Sequence, residues 1–200
     1  MTIKSYQANK IDTFSDNYKK LFKQFVDIYT EMKRVPEPGS LIQVTREWEY
    51  PFAILNSMPK VGDVCLDLGG GASPLPLYLA RKGCNITVID IDSYDNNHSY
   101  NDNKLWGYHP QFTETNLSYI KSDFLVYDFG NKKYDKIYCI GVIEHLKEEE
   151  QIKTKELMNK LLKKDGIAIL TYDVPKQNNN FTDRLNYHCD VIGQIISHKG

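Results

Sequence analysis

Short apolar runs and helical segments alternate along most of the chain from residue 63 onward. The runs predict strands, and apolar positions spaced three and four residues apart predict helices between them. Strands that are continuous apolar runs joined by helical crossovers are typical of a mostly parallel sheet with helices on both faces. Their carboxyl ends meet at one edge of the sheet, where ligands of open α/β sheets bind. The predicted strands are 63–68, 85–90, 118–122, 135–140 and 166–172, and the predicted helices are 74–82 and 148–163.

Two further helices are predicted before this core. Residues 14–32 carry apolar side chains at helical spacing with polar residues between them, which predicts an amphipathic helix. A second helix is predicted at 46–57, interrupted or started near Pro51 because proline disrupts the backbone hydrogen bonds of a helix. We expect these helices and the polar insertion at 93–115 to form a lid that excludes water from a binding site.

The length predicts a single domain. A chain of 200 residues with 41% hydrophobic content can bury one core of this kind. Within it, we expect residues 1–60 to form the helical lid segment, residues 61–173 to form the core and residues 174–200 to form a C-terminal segment.

The first strand of the core ends in an acid and then three consecutive glycines, in the string VCLDLGGGASP at 64–74. Glycine has no Cβ, so a glycine-rich turn between a strand and a helix lets backbone N–H groups approach a polar ligand closely. Asp67 stands at the start of this turn, where a carboxylate would repel a diphosphate and attract a cationic amino or sulfonium group. The pattern therefore indicates a ligand that carries positive charge.

Four further short sequence motifs lie at the ends or at the start of predicted strands: IDID at 89–92, KSDF at 121–124, and two longer ones in the fourth and fifth strands. Asp90 ends the second strand about 20 residues after the glycines and can accept hydrogen bonds from both hydroxyls of a ribose. Asp123 and Phe124 follow the third strand and offer a carboxylate acceptor and a backbone N–H donor to an adenine ring. The fourth strand lies in YDKIYCIGVIEHL at 134–146, and LKKDGIAILT at 162–171 supplies the next turn and strand.

These five strings, in this order over residues 61–173, resemble the motifs of class I S-adenosylmethionine-dependent methyltransferases, which have a Rossmann-like α/β fold. The resemblance implies S-adenosyl-L-methionine as cofactor and S-adenosyl-L-homocysteine as product. It also implies that backbone carbonyls at the end of the fourth strand lie near the methionine half of the cofactor. The implied cofactor-binding residues are Asp67, Gly69, Gly70, Gly71, Ser73, Asp90, Ile91, Asp123, Phe124, Ile140 and Gly141.

The C-terminal part departs from the family pattern. Methyltransferases of this fold usually continue from the fifth core strand into two further antiparallel strands, whereas this chain ends at Gly200 soon after that strand. A sheet that lacks the final antiparallel strands is therefore one expectation.

The acceptor site is the least specified part of the sequence. A hydroxyl acceptor would benefit from a nearby base, and the candidate catalytic residues are His145, His109 and Asp173. Trp48, Tyr50, Trp106 and Tyr108 are candidate walls of an acceptor pocket, although aromatic residues also pack in cores. The string REWEYP at 46–51 resembles a segment of some bacterial small-molecule and sugar methyltransferases. We expect methyl transfer to an oxygen or nitrogen of a small polar metabolite, with a sugar or surface-polysaccharide precursor as one candidate.

The amino-acid composition excludes some classes of binding partner. There are 25 Lys and Arg against 26 Asp and Glu, so the net charge of −1 creates no field that attracts nucleic acid or an anionic membrane. No window has the apolar length of a membrane span or signal peptide, which favours a cytoplasmic protein. No His and carboxylate cluster has metal-ligand spacing, so no metal is expected. A monomer and a homodimer are both compatible with the sequence.

Three alternative functions agree with the sequence to different degrees. A methyltransferase-like regulatory module would bind the cofactor without turning over an acceptor. An NAD-dependent oxidoreductase is disfavoured because the fingerprint G-x-G-x-x-G needs a third glycine, where this chain has Ser73, Pro74 and Pro76. A nucleic-acid amino-methyltransferase is disfavoured because IGVI at 140–143 lacks the Asn/Asp-Pro-Pro-Tyr string that grips a flipped base.

Overall fold

A computed structural model describes residues 2–7, 15–32, 41–71, 73–91, 114–175 and 189–197. The strands are β1 (Thr2–Gln7), β2 (Val64–Leu68), β3 (Asn85–Asp90), β4 (Leu117–Lys121), β5 (Tyr134–Ile140), β6 (Leu162–Pro175) and β7 (Cys189–Ser197). The helices are α1 (Asp16–Glu31), α2 (Leu41–Ser57), α3 (Leu75–Arg81) and α4 (Glu148–Leu161), and a 3-10 turn covers Ile143–His145.

All seven strands join one sheet, in the order β1-β7-β6-β5-β2-β3-β4. The strands from β6 to β4 in this order pair in parallel, while β7 is antiparallel to both β6 and β1. The predicted mostly parallel α/β sheet is therefore confirmed. Strands β3 and β4 follow β2 on one side of it, whereas β5 and then β6 lie on its other side. The strand order therefore reverses between β2 and β5. A crevice forms at the carboxyl ends of parallel strands where the order reverses in this way.

The expectation of a sheet without its final antiparallel strands is wrong. Strand β7 pairs with β6, with Ala168 opposite Ile196, and β1 pairs with the other side of β7, with Ile3 also opposite Ile196. All six residues of β1 are exposed. A strand at the edge of a sheet with exposed side chains shows no alternation of apolar and polar residues, so the local pattern did not reveal it.

The predicted interruption of the second helix at Pro51 is also wrong. Helix α2 runs without a break from Leu41 to Ser57 with Pro51 inside it. The residues on either side of the proline, Tyr50 and Phe52, are each 2% exposed, and Ala53 is fully buried. Burial of these side chains offsets the backbone hydrogen bond that proline removes.

Two hydrophobic clusters lie on the two faces of the sheet. One contains buried side chains of α1, α2 and α3, such as Phe25, Phe52 and Tyr78. The other contains α4 and the segment after β4, with Met158 and Phe124 among its members. Helices α1 and α2 are thus part of the packed core, and their role as a lid stays a prediction. In the described part of the chain, no helix has the length and apolar character needed to cross a membrane.

Candidate active site

The loop between β2 and α3 covers a buried acid with bare backbone. Asp67 on β2 is 1% exposed, and neither of its carboxylate oxygens has a hydrogen-bond partner among the described residues. A Cβ on Gly70 would collide with this carboxylate. Gly69 has a φ of +69°, and a Cβ there would lie 2.8 Å from Val142 Cγ1. Glycine is required at both positions, because a Cβ would collide with Asp67 at Gly70 and with Val142 at Gly69.

The electrostatic state of Asp67 follows from its surroundings. Burial, together with repulsion from Asp90, raises the pKa of Asp67 to about 8 against the attraction of Arg46. A buried carboxyl group without hydrogen bonds costs free energy. An ammonium group placed beside it would supply both the missing hydrogen bonds and the opposite charge, and a sulfonium would supply the charge alone. The acid therefore fits an ammonium or sulfonium group.

The end of β3 is joined to the glycine loop. The backbone N–H of Gly71 donates a hydrogen bond to Asp90 Oδ2 at 3.0 Å. Ile91 follows with a side chain that is 66% exposed. Ser73, at the other end of the loop, accepts a hydrogen bond from the N–H of Leu75 at 3.1 Å. The structure thus brings the predicted ribose acid and the predicted glycine loop into direct contact.

Asp123 and Phe124 lie at the adjacent strand end. The backbone N–H of Ser122 donates to the carbonyl of Asp90 at 2.8 Å, which connects the segments that follow β3 and β4. Asp123 is exposed, and its Oδ1 accepts a hydrogen bond from the N–H of Leu125 at 2.8 Å. Phe124 is 6% exposed and belongs to the core. Asp90 and Asp123 thus lie at neighbouring strand ends, and their contact with a nucleoside stays a prediction.

The end of β5 lies under a cationic side chain from α2. Ile140 is the last residue of the strand, and Gly141 follows it with a φ of +63°. The N–H of Gly141 donates to the carbonyl of Thr171 on β6 at 3.0 Å. A Cβ on Gly141 would collide with the guanidinium of Arg46. Glycine at this position therefore lets Arg46 rest directly on the backbone at the strand end.

Arg46 is part of a buried polar group that connects α2 to β6. It forms an ion pair with Glu49, which lies one helical turn further along α2 and is fully buried. The Thr171 hydroxyl, also fully buried, donates to Glu49 Oε1 at 2.5 Å. Burial acts to lower the pKa of Arg46, but its interactions with Glu49, Tyr50 and Tyr29 together outweigh burial, and the pKa lies above its ordinary value. Arg46 therefore stays charged in a site that is largely closed to water.

Two acids and a histidine lie on the same side of this edge. Asp173 Oδ1 on β6 and Glu144 Oε2 on the 3-10 turn are buried and have no hydrogen-bond partner among the described residues. Burial and repulsion from Glu49 raise the pKa of Asp173 to about 6, and burial also raises the pKa of Glu144. His145, with an exposed side chain, interacts electrostatically with both acids. Two of the three candidate bases, His145 and Asp173, thus lie close enough to interact.

The candidate aromatic walls take different positions. Trp48 is 3% exposed and stacks on Phe52 with ring centroids 4.4 Å apart, within the core. The hydroxyl of Tyr50 lies 3.1 Å from that of Tyr29. Burial raises the pKa of Tyr50, while the charge of Arg46 and hydrogen bonds with Tyr29 and Ser73 act to lower it. Because Ser73 belongs to the glycine loop, Tyr50 lies beside that loop. His109, Trp106 and Tyr108 lie outside the described residues, and an acceptor-binding role for any of the four aromatic residues stays a prediction.

Sequence reasoning missed Arg46, Glu49 and Thr171 as site residues. The spacing of Arg46 and Glu49 is that of an ordinary surface ion pair on a helix, and Thr171 lies 122 positions away from Glu49. One signal was present in the sequence: the turn of α2 that holds both charges also holds Trp48 and Tyr50, which predicts that this part of the helix is buried.

Comparison with known proteins assigns the fold and the family of this site. The sequence pattern of a methyltransferase domain matches residues 42–197. The chain is 27% identical over 150 residues to a probable (S)-tetrahydroprotoberberine N-methyltransferase 2 of Papaver bracteatum. This match covers 74% of this chain and 39% of that protein. It is also 29% identical over 126 residues to a carboxy-S-adenosyl-L-methionine synthase of Nautilia profundicola. That match covers 62% of this chain and 50% of the synthase. The matches thus span no more than half the length of these two relatives.

Two solved structures have a similar fold along nearly the whole chain. A TehB-like SAM-dependent methyltransferase of Corynebacterium glutamicum matches with a TM-score of 0.54 at 15% identity, covering 96% of this chain and 100% of that chain. Magnesium protoporphyrin IX methyltransferase of Synechocystis, solved with bound SAM, matches with a TM-score of 0.53 at 15% identity, covering 95% of this chain and 100% of that chain. At this level of identity, the likeness shows a shared fold.

Proposed function

This chain belongs to the class I S-adenosylmethionine-dependent methyltransferases, and we propose that it transfers a methyl group from this cofactor to an oxygen or nitrogen of a small polar metabolite. The bound cofactor supplies a methyl group already activated on a sulfonium, and S-adenosyl-L-homocysteine is the product. The protein then has to hold the two reactants in line, exclude water and accept a proton from the acceptor.

The observation that carries the proposal is the buried carboxyl group of Asp67 beneath the glycine loop, whose two oxygens have no hydrogen-bond partner in the described part of the chain. This group fits the positive charge of the methionine half of the cofactor. A diphosphate at the same loop would give this group no opposite charge and would hold it in its protonated form, so the site fits a dinucleotide less well than a cationic ligand. The residues that would hold the cofactor are those implied by the resemblance: Asp67, Gly69, Gly70, Gly71 and Ser73 at the loop, Asp90 and Ile91 at the ribose, Asp123 and Phe124 at the adenine, and Ile140 and Gly141 at the end of β5.

Catalysis would depend mainly on alignment, which can lower a barrier by about 7–11 kcal/mol when a reactive geometry is enforced. Asp173 is our first candidate for the base. With a pKa of about 6 it is mostly ionised at neutral pH, and its buried Oδ1 can take the proton that the acceptor loses. His145 is the second candidate and His109 the third.

The acceptor would be a small molecule. The likeness to a plant N-methyltransferase supports nitrogen as the methylated atom, whereas a sugar or surface-polysaccharide precursor would offer oxygen. The balanced net charge supports neither nucleic acid nor an anionic membrane as a partner. A cytoplasmic location and a homodimer stay predictions.

The proposal is tested by release of S-adenosyl-L-homocysteine from a panel of small amines, sugars and nucleotide sugars. For the acceptor that is turned over, Asp173→Asn should lower kcat/KM by about 10²–10⁴-fold, because a positioned base contributes about that much. The affinity for S-adenosyl-L-homocysteine should stay within about twofold, because the base does not hold the cofactor. In the wild type, kcat/KM should rise with pH through about 6 and then level off.

Asp27→Asn is the matched control, because Asp27 lies on the exposed face of α1 and its ion pair among the described residues is with Lys23. Full activity of Asp173→Asn would exclude Asp173 as the base. Binding of S-adenosyl-L-homocysteine without turnover of any acceptor would instead favour the regulatory module.

A further inference from the structure

We propose that Cys84 and Cys65 are a redox-active thiol pair: a peroxide oxidises Cys84, and Cys65 then converts the product to a disulfide within the chain. Both cysteines are free thiols in the structure. Cys65 lies near the amino end of β2, and Cys84 directly precedes β3. The candidate active site lies at the carboxyl ends of the same strands, so the inference is independent of the proposed methyl transfer.

The two thiols are neighbours across the strand pair β2–β3. Cys65 is opposite Ile86 in the register, and Cys84 precedes Ile86 by two positions, so both side chains point to the same face of the sheet. Both are fully buried in the hydrophobic cluster on that face. The thiols hydrogen bond each other, which places the two sulfur atoms in contact. A disulfide would therefore join groups that the fold already brings together.

The surroundings make Cys84 the more reactive thiol. The hydrogen bond that Cys65 donates lowers the pKa of Cys84, and the charge of Lys136 acts in the same direction, against burial and repulsion from Asp63. Lys136 is opposite Cys65 in the pairing of β5 with β2 and is 9% exposed, so this cation lies on the same face of the sheet. The hydrogen bond with Cys84, together with burial, raises the pKa of Cys65. Because the thiolate is the reactive form of cysteine, Cys84 attacks first and Cys65 second.

The turn between α2 and β2 covers Cys84. The Cys84 thiol donates to the carbonyl of Lys60 at 3.4 Å, and the N–H of Gly62 donates to the carbonyl of Gly83 at 2.8 Å. Val61, in the same turn, is 84% exposed. Local opening of an exposed turn costs much less free energy than global unfolding. A small oxidant such as hydrogen peroxide can therefore reach Cys84 while the rest of the domain stays folded.

Hydrogen peroxide supplies the oxidising equivalents of the reaction. The Cys84 thiolate attacks one peroxide oxygen, the O–O bond breaks, and the departing hydroxide takes up the thiol proton as water. Cys84 is thereby oxidised by two electrons to a sulfenic acid. The Cys65 sulfur then attacks the Cys84 sulfur, the S–O bond breaks, and the hydroxide leaves with the Cys65 proton as a second water. Two thiols and one peroxide thus become one disulfide and two waters.

The test treats the reduced protein with hydrogen peroxide, blocks the remaining thiols with N-ethylmaleimide under denaturing conditions, and analyses tryptic peptides by mass spectrometry. Trypsin cleaves after Lys60, Arg81 and Lys82, so Cys65 and Cys84 fall in different peptides. We expect one linked pair of peptides that contains these two cysteines. Dithiothreitol should separate the pair.

Three variants resolve the two steps. In Cys65→Ala the reaction should stop at the Cys84 sulfenic acid, which dimedone traps. In Cys84→Ala, oxidation of Cys65 should be at least about tenfold slower than that of Cys84 in the wild type. Cys139→Ala is the matched control, because Cys139 is also fully buried but belongs to the cluster on the other face of the sheet. This variant should form the disulfide as the wild type does, and thermal unfolding checks that each variant is folded.

A disulfide that joins Cys65 or Cys84 to another cysteine would overturn the inference. Equal maleimide labelling of both residues with and without peroxide would overturn it as well. Formation of the Cys65–Cys84 bond only after addition of urea would also count against it, because the reaction would then be a property of the unfolded chain. Binding of S-adenosyl-L-homocysteine, which tests the proposed function, is a separate measurement.

Discussion

Asp67 determines much of the electrostatics of the site because it is a buried acid with no hydrogen-bond partner among the described residues. Its pKa of about 8 means that the carboxyl group is mostly protonated at neutral pH before a ligand binds. An ammonium or sulfonium beside it favours the ionised form and lowers the pKa. Cofactor binding should therefore be coupled to the loss of a proton.

We predict that binding of S-adenosyl-L-methionine near pH 7 releases close to one proton per protein molecule. Release should diminish above about pH 8, where Asp67 is already ionised in the free protein. Calorimetric titrations in buffers with different ionisation enthalpies measure the number of protons directly. Asp67→Asn should bind more weakly and release almost none, whereas release that is unchanged in this variant would assign the proton to another group.

The residues of the site differ in how far the sequence could predict them. Asp67 and the three glycines form a local string whose chemistry can be recognised within a few positions. The involvement of Arg46 depends on Gly141, which lies against its guanidinium, and on Thr171, which donates to its partner Glu49; both are distant in sequence and take these positions only in the folded chain. Such a contact has no local pattern, and a buried ion pair on a helix has the same spacing as an exposed one.

At the level of elements, α2 links the core to the site. Phe52 packs on its sheet-facing side against Gly193 of β7, where a Cβ would collide with the ring. One turn earlier Glu49 reaches the end of β6, and nearly two turns earlier Arg46 reaches the end of β5. The same helix thus contributes both hydrophobic burial and charged groups, and loss of its ion pair should affect stability as well as binding.

We predict that Glu49→Ala lowers the free energy of unfolding by about 3–5 kcal/mol, because it leaves the Arg46 charge buried without its partner. Replacing both partners, as Arg46→Met with Glu49→Leu, should recover much of this loss, since the buried charge is then absent. Urea unfolding measures both. Asp27→Ala breaks an exposed ion pair and should cost less than about 1 kcal/mol. A double variant as unstable as the single one would contradict this explanation.

Strands β2 and β3 could be predicted closely because most of their side chains are buried, whereas the predicted strand 166–172 covers only the middle of β6. The predicted strand 85–90 matches β3 in full, and 63–68 differs from β2 by one residue. Strands β1 and β7 were missed because their stability comes from pairing between opposite ends of the chain. Helix α2 was misjudged at Pro51 because tertiary packing outweighed the local preference of proline.

For the whole molecule, the sheet order places the candidate site near its middle. Strands β2 and β5 are neighbours where the order reverses, and the antiparallel strands β7 and β1 lie toward one edge, away from the glycine loop. The positions of Asp67, Asp90 and Asp123 at successive strand ends follow from this order. The fold therefore brings together three acids that the sequence separates by more than 50 residues.

The central claim is that this edge binds S-adenosylmethionine, and calorimetric titration of the protein with S-adenosyl-L-homocysteine tests it most directly. We predict saturable binding at one site per chain, a loss of affinity of about 10–100-fold in Asp90→Ala, and no comparable binding of NAD. No binding of S-adenosyl-L-homocysteine, equal binding by Asp90→Ala and the wild type, or a preference for NAD would contradict the claim.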